Sequence, residues 1–186
     1  MRTRSIRILT LVSALALITS PAVPQATRYK ELPNFHRVNE TLFRGGQPRP
    51  GGFELLSRLG IKTVVNLRDD DDREAHEELE VEQAGLRYFN IPLRRLGRPD
   101  DKKIQQVLSI INNPENQPVF VHCAHGADRT GVVIAVYRIS QDGWTGDQAK
   151  AEAKRHGLKL WQIRKKDYIS DYYRERSSRT ELAHPK

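Results

Sequence analysis

The sequence holds a single cysteine, Cys123, and this scarcity excludes one means of stabilisation. One thiol cannot form a disulfide within the chain, so the fold depends on a hydrophobic core, for which 186 residues suffice as one domain. The chain also has no internal repeat, no low-complexity block and no sign of a second domain. An unpaired cysteine suggests either a reactive thiol or pairing with another molecule, so the surroundings of Cys123 decide its interpretation.

Long apolar stretches are scarce as well, and the main one lies near the start of the chain. Residues 8–18 are apolar apart from two hydroxyl side chains, a stretch too short to cross a bilayer comfortably. Three arginines precede it, and Ser20–Ala22 supplies the small residues of a cleavage site. Residues 1–22 are therefore predicted to be a secretory signal peptide, with a periplasmic or secreted protein and no stable membrane insertion after cleavage. An uncleaved N-terminal anchor is the alternative.

Positive charge prevails over negative charge in this chain. The formal net charge is +8, and it falls to +5 when residues 1–22, which hold three arginines and no acidic residue, are removed. A basic protein suits acidic substrates without identifying one. The basic segment Arg164–Lys166 suggests a nucleic-acid or membrane surface, but the acidic residues Asp167, Asp171 and Glu175 follow closely and interrupt its charge. We therefore predict a solvated helix face there and no nucleic acid as a partner.

One stretch organises the rest of the sequence: an apolar run, a connection of small residues and a helix. Val119–Val121 is too brief for a helix and rich in β-branched and aromatic residues, so it is predicted to be a buried strand that ends at Cys123. A helix is predicted from about Arg129. The connection between them can curl so that its backbone N–H groups converge at the helix N-terminus. Such an arrangement binds anions such as phosphate, and its field lowers the pKa of a thiol.

The residues of this stretch carry a resemblance to a known family. His122-Cys123, Gly126, Arg129 and Thr130 match the signature His-Cys-x-x-Gly-x-x-Arg-Ser/Thr. The chain resembles a small, bacterial exported, dual-specificity-type member of the cysteine-dependent protein tyrosine phosphatase superfamily. Two other interpretations remain open: a sulfurtransferase of the rhodanese type, whose loop is usually shorter, and a buried structural cysteine followed by a glycine-containing turn.

The resemblance implies a role for each motif residue in two-step phosphoryl transfer. Cys123 is the expected nucleophile, and Thr130 is expected to help the sulfur leave in the second step. His122 is expected to orient the loop rather than act as a base. The expected phosphate ligands are the backbone N–H groups of the loop and the Arg129 guanidinium, that is Ala124, His125, Gly126, Ala127, Asp128 and Arg129. No metal or other cofactor is expected.

The general acid is the point at which this sequence departs from the family pattern. Relatives usually place an Asp on a loop roughly thirty residues before the cysteine, but Leu93–Pro99 contains no carboxylate. The next candidates are Asp100 and Asp101. Asp100 is well placed as a helix N-cap, which leaves Asp101 as the better acid, or no side chain at all. Asp128 is a third candidate, and we expect it to point outward and contact a neighbour or a leaving-group water, because an inward carboxylate would repel phosphate.

The substrate is predicted from the variable positions of the loop. None of them carries a fixed positive side chain, which favours a singly phosphorylated group: phosphotyrosine, phosphoserine or phosphothreonine of a protein, or a small phosphomonoester. A phosphoinositide or inositol phosphate is the alternative substrate. A phosphate-binding module without turnover is the alternative to an enzyme.

The alternation of short strands and helices predicts a single α/β domain over residues 27–176, with a flexible tail over 177–186. Its centre is a mainly parallel sheet of about 4–5 strands flanked by helices, with the phosphate-binding loop between a strand and a helix. The predicted strands are Phe35–Val38 and Leu42–Arg44 at the edge, then Ile61–Leu67, Leu86–Leu93 and Val119–Cys123. The predicted helices are Phe53–Leu59, a charged helix ending at about Ala84, Asp100–Asn112, one from about Arg129, Gly146–His156 capped by Thr145, and Leu160–Tyr173.

Three segments outside the motif have ordinary structural interpretations. Arg44–Pro48 resembles a segment common near the start of such phosphatases, and we predict a turn with two glycines at positive φ rather than a substrate contact. The acidic run Asp69–Asp72 is predicted to be a solvated helix start rather than a metal site. The apolar and aromatic residues of the last helix are predicted to pack rather than to bind substrate; they are Trp161, Ile163, Tyr168, Ile169 and Tyr172.

Overall fold

The computed structural model describes residues 29–69 and 72–183. The predicted signal peptide, residues 1–22, lies outside the described residues. The strands are β1 (His36–Arg37), β2 (Leu42–Gly45), β3 (Thr63–Asn66), β4 (Arg87–Asn90) and β5 (Val119–His122). The helices are α1 (Gly52–Arg58), α2 (Asp72–Gln83), α3 (Asp101–Asn112), α4 (Asp128–Gln141), α5 (Gly146–Arg155) and α6 (Ile163–Ala183).

The strands form a five-stranded sheet in the order β1-β2-β5-β3-β4. Only β1 pairs antiparallel, with β2, whereas β2, β5, β3 and β4 run parallel to one another. The predicted α/β domain with a mainly parallel sheet is confirmed. The prediction that both early strands lie at the edge is wrong for β2, because Leu42 and its neighbours pair with β5 and bury this strand between β1 and β5.

Helices cover both faces of the sheet, and the side chains of the central strands alternate between them. Val64 and Phe120 pack with α1 and α2 on one face, in a cluster of buried apolar side chains. Val65 and Val121 point the other way and pack with α3, α4, α5 and α6. Because both faces are buried, the strands appear in the sequence as short continuous apolar runs. Because helices pack on both faces of the sheet, the central strand β5 and the adjoining Cys123 are buried in the middle of the molecule.

Two predicted helix starts are confirmed by their caps. The Asp100 carboxylate accepts hydrogen bonds from the backbone N–H groups of Lys102 and Lys103, at 2.8 and 3.2 Å, so it caps α3. Thr145 caps α5 in a reciprocal arrangement with Gln148, in which each side chain bonds the backbone of the other. Such caps satisfy backbone donors that have no partner within the helix, which is why they can be predicted locally.

The last helix differs from its prediction at both ends. It starts at Ile163 and continues to Ala183, so the predicted flexible tail is wrong for residues 177–183, which are helical. The Arg176 guanidinium donates to the Ser140 carbonyl oxygen at 2.8 Å, which ties this extension to the end of α4. Nowhere in the described part of the chain does a helix combine the length and apolar character needed to cross a membrane.

Side-chain burial along the last helix corrects two further predictions. Tyr168 and Ile169 are buried as predicted. Trp161 and Ile163 are exposed, because they lie in the turn before α6 and at its first residue, ahead of the part of the helix that packs against α4 and α5. Lys165 was predicted on a solvated face but is only 1% exposed. Its ammonium group donates to the carbonyl oxygens of Arg95 and Gly97, so tertiary hydrogen bonds replace the lost water.

Candidate active site

The site lies where β5 passes into α4, at the carboxyl end of the parallel strands. Cys123 follows the last residue of β5 and is 3% exposed. Residues 124–127 form the phosphate loop, and α4 begins at Asp128 with no side-chain cap. The first backbone N–H groups of α4 therefore face the loop without a partner from a capping side chain, and with the helix dipole they create a positive field there.

The Cys123 thiol has a lowered pKa, although its burial acts in the opposite direction. Burial raises the pKa, but the combined effect of the polar groups around the sulfur is larger and lowers it. These groups are the Thr130 hydroxyl and backbone N–H, the Arg129 charge and the His125 backbone N–H. Thr130 is fully buried beneath the loop, so its hydroxyl faces the sulfur and not water. The surroundings of Cys123 thus favour a thiolate, which is the nucleophilic form.

Arg129 is held against the end of the neighbouring strand β3. It is 7% exposed, and its Nη1 donates to the Leu67 carbonyl oxygen at 3.2 Å. The same nitrogen lies 3.6 Å from a carboxylate oxygen of Asp69. These contacts place a planar, permanently charged guanidinium beside the loop, where its donors match the oxygens of a phosphoryl group.

Asp69 is a site residue that sequence reasoning missed. The acidic run was predicted to be a solvated helix start, and part of it, residues 70 and 71, lies outside the described residues. Asp69 itself precedes α2, and its exposed carboxylate reaches Arg129 across the end of the sheet. Its position directly after a central strand was the available signal, since residues there meet at the same edge of a parallel sheet. No cluster of metal-ligating side chains was found among residues 29–69 and 72–183.

The outer side of the phosphate loop packs against the glycines of the Arg44–Pro48 segment. Gly126 adopts a φ of +67°, and a Cβ atom there would lie 2.4 Å from the carbonyl carbon of Gly45. The prediction of positive φ at Gly45 and Gly46 is wrong, because neither is among the residues with positive φ. Close approach explains them: a Cβ on Gly45 would lie 2.7 Å from the Phe120 ring, and one on Gly46 would lie 3.1 Å from the His125 carbonyl carbon.

Arg44 is a buried charge beneath this loop. It is 1% exposed, and its Nη2 donates to the Gly126 carbonyl oxygen at 2.8 Å. Burial lowers its pKa to about 10, against an opposing effect of Glu152 and Cys123, so the guanidinium keeps its charge at neutral pH. Its positive charge therefore acts on Cys123 from below the loop, as Arg129 does from the side.

The floor of the site is a polar cluster around His122. This imidazole is fully buried, stacks on the Phe120 ring and has its Nε2 2.9 Å from Oε1 of buried Glu77. Gln47 donates to the other Glu77 oxygen at 2.5 Å and accepts a hydrogen bond from Arg68. The predicted role of His122 in orienting the loop stays a prediction. The cluster itself could not be predicted, because Glu77 is one of several glutamates in α2 and nothing in the sequence distinguishes it from its exposed neighbours Glu78 and Glu80.

The carboxylates predicted as general acids occupy different places. Asp100 caps α3, and Asp101, one residue later, faces the buried Tyr168 hydroxyl, whose pKa is raised by burial and by that carboxylate. Asp128 accepts hydrogen bonds from the Lys159 backbone N–H at 3.0 Å and from Gln162 at 3.3 Å. The expectation that Asp128 contacts a neighbour is confirmed. The carboxylate that the structure brings to Arg129 is that of Asp69.

Comparison with known proteins identifies the family. Residues 22–171 match the family model described as PTP-NADK, DSP-PTPase phosphatase fused to NAD+ kinase. The chain is 38% identical over 126 residues to the dual specificity protein phosphatase TpbA of Pseudomonas aeruginosa. The aligned region covers 67% of this chain and 55% of that protein. It is also 30% identical over 109 residues to the inositol diphosphatase DSP4 of Arabidopsis thaliana, covering 56% of this chain and 54% of that protein.

Solved structures agree with the sequence comparisons. The crystal structure of Pseudomonas aeruginosa TpbA matches with a TM-score of 0.63 and 32% identity, covering 89% of this chain and 99% of the crystallised one. A second structure of TpbA contains phosphotyrosine, with a TM-score of 0.63, 28% identity and coverage of 85% and 98%. The chain spans about half the length of the curated relatives it matches. With its family model, its fold and its Cys-loop-Arg site, the chain belongs to the dual-specificity-type phosphatases of the protein tyrosine phosphatase superfamily.

Proposed function

We propose that the protein hydrolyses phosphomonoesters through a covalent phosphocysteine on Cys123, and that its substrates are phosphotyrosine, phosphoserine or phosphothreonine residues of proteins. The observation that carries the proposal is the lowered pKa of the Cys123 thiol at the N-terminus of α4, beside the Arg129 guanidinium. A thiolate within an anion-binding loop is the combination that phosphoryl transfer to sulfur requires.

In the first step the Cys123 thiolate attacks phosphorus in line with the leaving oxygen. The S–P bond forms and the P–O bond to the leaving group breaks, and the released oxygen takes up a proton. Arg129 and the loop N–H groups bind the three equatorial oxygens as charge spreads over them, which stabilises the transition state. This chemistry is proposed to proceed without a metal ion or other cofactor.

In the second step water attacks the phosphocysteine. The O–P bond forms, the S–P bond breaks, the water gives up a proton, and inorganic phosphate leaves. The Thr130 hydroxyl stabilises the departing thiolate, which is the same hydrogen bond that lowers the pKa of Cys123. Both steps thus use one property of the site, a field that favours negative sulfur.

The proton donor to the leaving oxygen is proposed among three carboxylates. Asp101 and Asp100 remain the candidates that follow from the sequence, although Asp100 has a structural role as the cap of α3. Asp69 joins them because its carboxylate lies 3.6 Å from Nη1 of Arg129. The aspartate that serves would be identified by a basic limb of the pH–rate profile that disappears in its Asn variant.

The choice of phosphoproteins as substrates rests on the loop composition and on a relative. Ala124, His125, Ala127 and Asp128 provide no fixed positive side chain for additional phosphates. Pseudomonas TpbA, named a dual specificity protein phosphatase, has been crystallised with phosphotyrosine. We further propose export to the periplasm or beyond, from the signal-like residues 1–22, with an uncleaved anchor as the alternative.

A second candidate function is hydrolysis of inositol phosphates or phosphoinositides. Arg94 and Arg95 are exposed on the loop before α3. Gln162 connects this loop to the phosphate loop, since its amide donates to both the Arg95 carbonyl oxygen and Asp128. Positive charge beside the site would suit a substrate with several phosphates, and one relative is named an inositol diphosphatase.

The deciding experiment is hydrolysis of a chromogenic aryl phosphate in the presence of EDTA. Wild type should be active, and Cys123→Ser should lose activity by at least about a thousandfold, because it lacks the nucleophile. Acid quenching during turnover should trap phosphate on Cys123, detected by mass spectrometry. A wild-type protein that binds vanadate but forms no phosphocysteine would leave only a phosphate-binding module. A phosphotyrosine peptide and an inositol polyphosphate, compared by kcat/KM, separate the two candidate substrates.

A further inference from the structure

The backbone carbonyls of the phosphate loop are held on its outer side by groups from distant parts of the chain. The Ala124 carbonyl oxygen accepts a hydrogen bond from the Gln47 backbone N–H at 3.3 Å. The Asn34 amide nitrogen lies 3.1 Å from the carbonyl oxygen of His125 and 3.1 Å from that of Gly126. Three successive carbonyl groups of the loop are therefore anchored away from the pocket.

Anchoring a carbonyl determines where the next N–H points. In a trans peptide the C=O of one residue and the N–H of the next lie in one plane and point in opposite directions. The anchored Ala124 carbonyl should therefore direct the His125 N–H toward the pocket, and this N–H does donate to Cys123. By the same geometry, the bonds from Asn34 direct the N–H groups of Gly126 and Ala127 toward the pocket.

The side chain of Asn34 is itself fixed in orientation. Its amide nitrogen is also 3.3 Å from the His156 carbonyl oxygen, so this nitrogen faces three carbonyl oxygens, which accept but cannot donate. Its amide oxygen lies 3.1 Å from Nε2 of His36, which must donate there. Reversing the amide would set oxygen against oxygen at the three carbonyl contacts.

The backbone of Asn34 adopts an uncommon conformation to make these contacts. Its φ is +53°, and it is the non-glycine residue with positive φ in the part of the chain that the structure describes. Asparagine tolerates this conformation better than most residues, and glycine tolerates it best. Backbone conformations of this kind persist where surrounding contacts determine them, and they concentrate at functional sites.

We propose that Asn34 is a positioning residue for phosphoryl transfer: its amide holds the His125 and Gly126 carbonyls outward, so that the loop N–H groups face the Cys123 sulfur and the phosphoryl oxygens. It touches neither substrate nor sulfur. The proposal deepens the proposed function, on which its catalytic part rests, but its effect on Cys123 requires no turnover.

The first test is the pH dependence of Cys123 alkylation by iodoacetamide. Cys123 is the only cysteine of the chain, so the reaction reports this thiol alone. Asn34→Gly removes the amide but keeps a residue suited to positive φ. Its alkylation midpoint should move to higher pH by about half a unit or more, because the Gly126 and Ala127 N–H groups turn away from the pocket and no longer contribute their positive ends to the field at the thiolate. Asn34→Asp, which keeps the size of the side chain but cannot donate, should move the midpoint in the same direction.

A matched control is available at Asn39. Its amide donates to the Tyr137 hydroxyl at 2.8 Å and its oxygen accepts from the Thr41 N–H at 2.9 Å, so it makes comparable hydrogen bonds away from the phosphate loop. Asn39→Gly should leave the alkylation midpoint at the wild-type value. Circular dichroism and thermal unfolding of all variants show which of them fold, and Asn34→Asp carries the test where Asn34→Gly does not fold.

Steady-state kinetics with an aryl phosphate provide the second readout. Asn34→Gly should lower kcat by about tenfold with a smaller change in KM, since misdirected donors weaken the transition state more than the ground state. If a folded Asn34→Gly protein has the alkylation midpoint and kcat of the wild type, even with a lower Tm, the proposal is overturned. A wild-type protein that hydrolyses nothing, together with a shifted alkylation midpoint in Asn34→Gly, would instead refute the proposed function and leave the positioning role intact.

Discussion

Two of the loops that leave the carboxyl ends of the parallel strands, those after β5 and β4, are built in opposite ways. The phosphate loop, residues 124–127, follows β5 and Cys123, and its carbonyls are anchored by Asn34, Arg44 and the Gln47 backbone. The loop over residues 93–99 follows β4 and exposes five consecutive residues, Arg94 to Arg98. One loop is defined by contacts from the core, while the other presents charge to solvent.

The difference matches two tasks that the proposed function requires. Stabilising a transition state requires donors that do not move when charge develops, which the anchored loop provides. Attracting a substrate requires charge that reaches solvent, which the arginine-rich loop provides. Gln162 connects the outer loop to the start of α4, because its amide donates to both the Arg95 carbonyl oxygen and Asp128. Matched substitutions in the two loops test this separation.

The largest effect is expected for arginine-to-lysine substitution. Arg129→Lys should lower kcat for an aryl phosphate by about a hundredfold or more, because an ammonium group cannot reproduce the two-pronged donation of a buried guanidinium. Arg95→Lys, which keeps the charge of an exposed side chain, should stay within about twofold of wild type. An equal decrease in kcat in the two variants would mean that turnover does not depend more on the guanidinium of Arg129 than on that of Arg95.

Replacing a glycine of positive φ by alanine should destabilise the protein more in the phosphate loop than in the outer loop. Gly126→Ala combines an unfavourable φ with a Cβ 2.4 Å from Gly45 backbone atoms, so the free energy of unfolding should fall by about 3 kcal/mol or more. Gly97 also has positive φ, +85°, but an added Cβ meets nothing within 4 Å, so Gly97→Ala should lower it by about 1 kcal/mol. Urea unfolding measures both, and similar losses would contradict the close packing beneath the phosphate loop.

Removing charge from the outer loop should affect large acidic substrates selectively. Arg94→Ala combined with Arg95→Ala should raise KM for an acidic phosphopeptide by about threefold to tenfold at low salt and leave kcat for an aryl phosphate unchanged. The effect should shrink as salt is added, because exposed charges are screened. A loss of aryl phosphate turnover in this double variant would place the arginines in the chemistry and not in substrate attraction.

The smallest effect is expected from titration behind the phosphate loop. Burial and the charge of Arg44 lower the pKa of His156 to about 4, below the ordinary value of 6.5. The unfolded chain therefore binds a proton between these pH values more readily than the folded protein, so stability is complete above pH 6.5 and falls as the pH drops toward 4. His156→Gln should reduce this dependence in urea unfolding at pH 7 and 4.5, and an unchanged dependence in this variant would contradict the assignment to His156.

Local patterns predicted much of the architecture. The apolar run of β5, the caps Asp100 and Thr145 and the glycines that end α1 and α2 lie next to the elements they define, so their effects can be deduced from neighbouring residues. The end of α6 and the burial of Lys165 could not be predicted in this way. Both depend on hydrogen bonds to distant carbonyl oxygens, those of Ser140 and Arg95.

The sequence by itself determined the chemistry of the centre, because the nucleophile, the loop and the arginine are contiguous from Cys123 to Thr130 and their spacing suits a phosphate. Tertiary structure alone decided what orients that loop. Asn34 and Gly126 are 92 positions apart, and Arg129 and Leu67 are 62 apart. Contacts over such separations leave no periodic pattern in the sequence; they arise only when parallel strands bring their ends to one edge of the sheet.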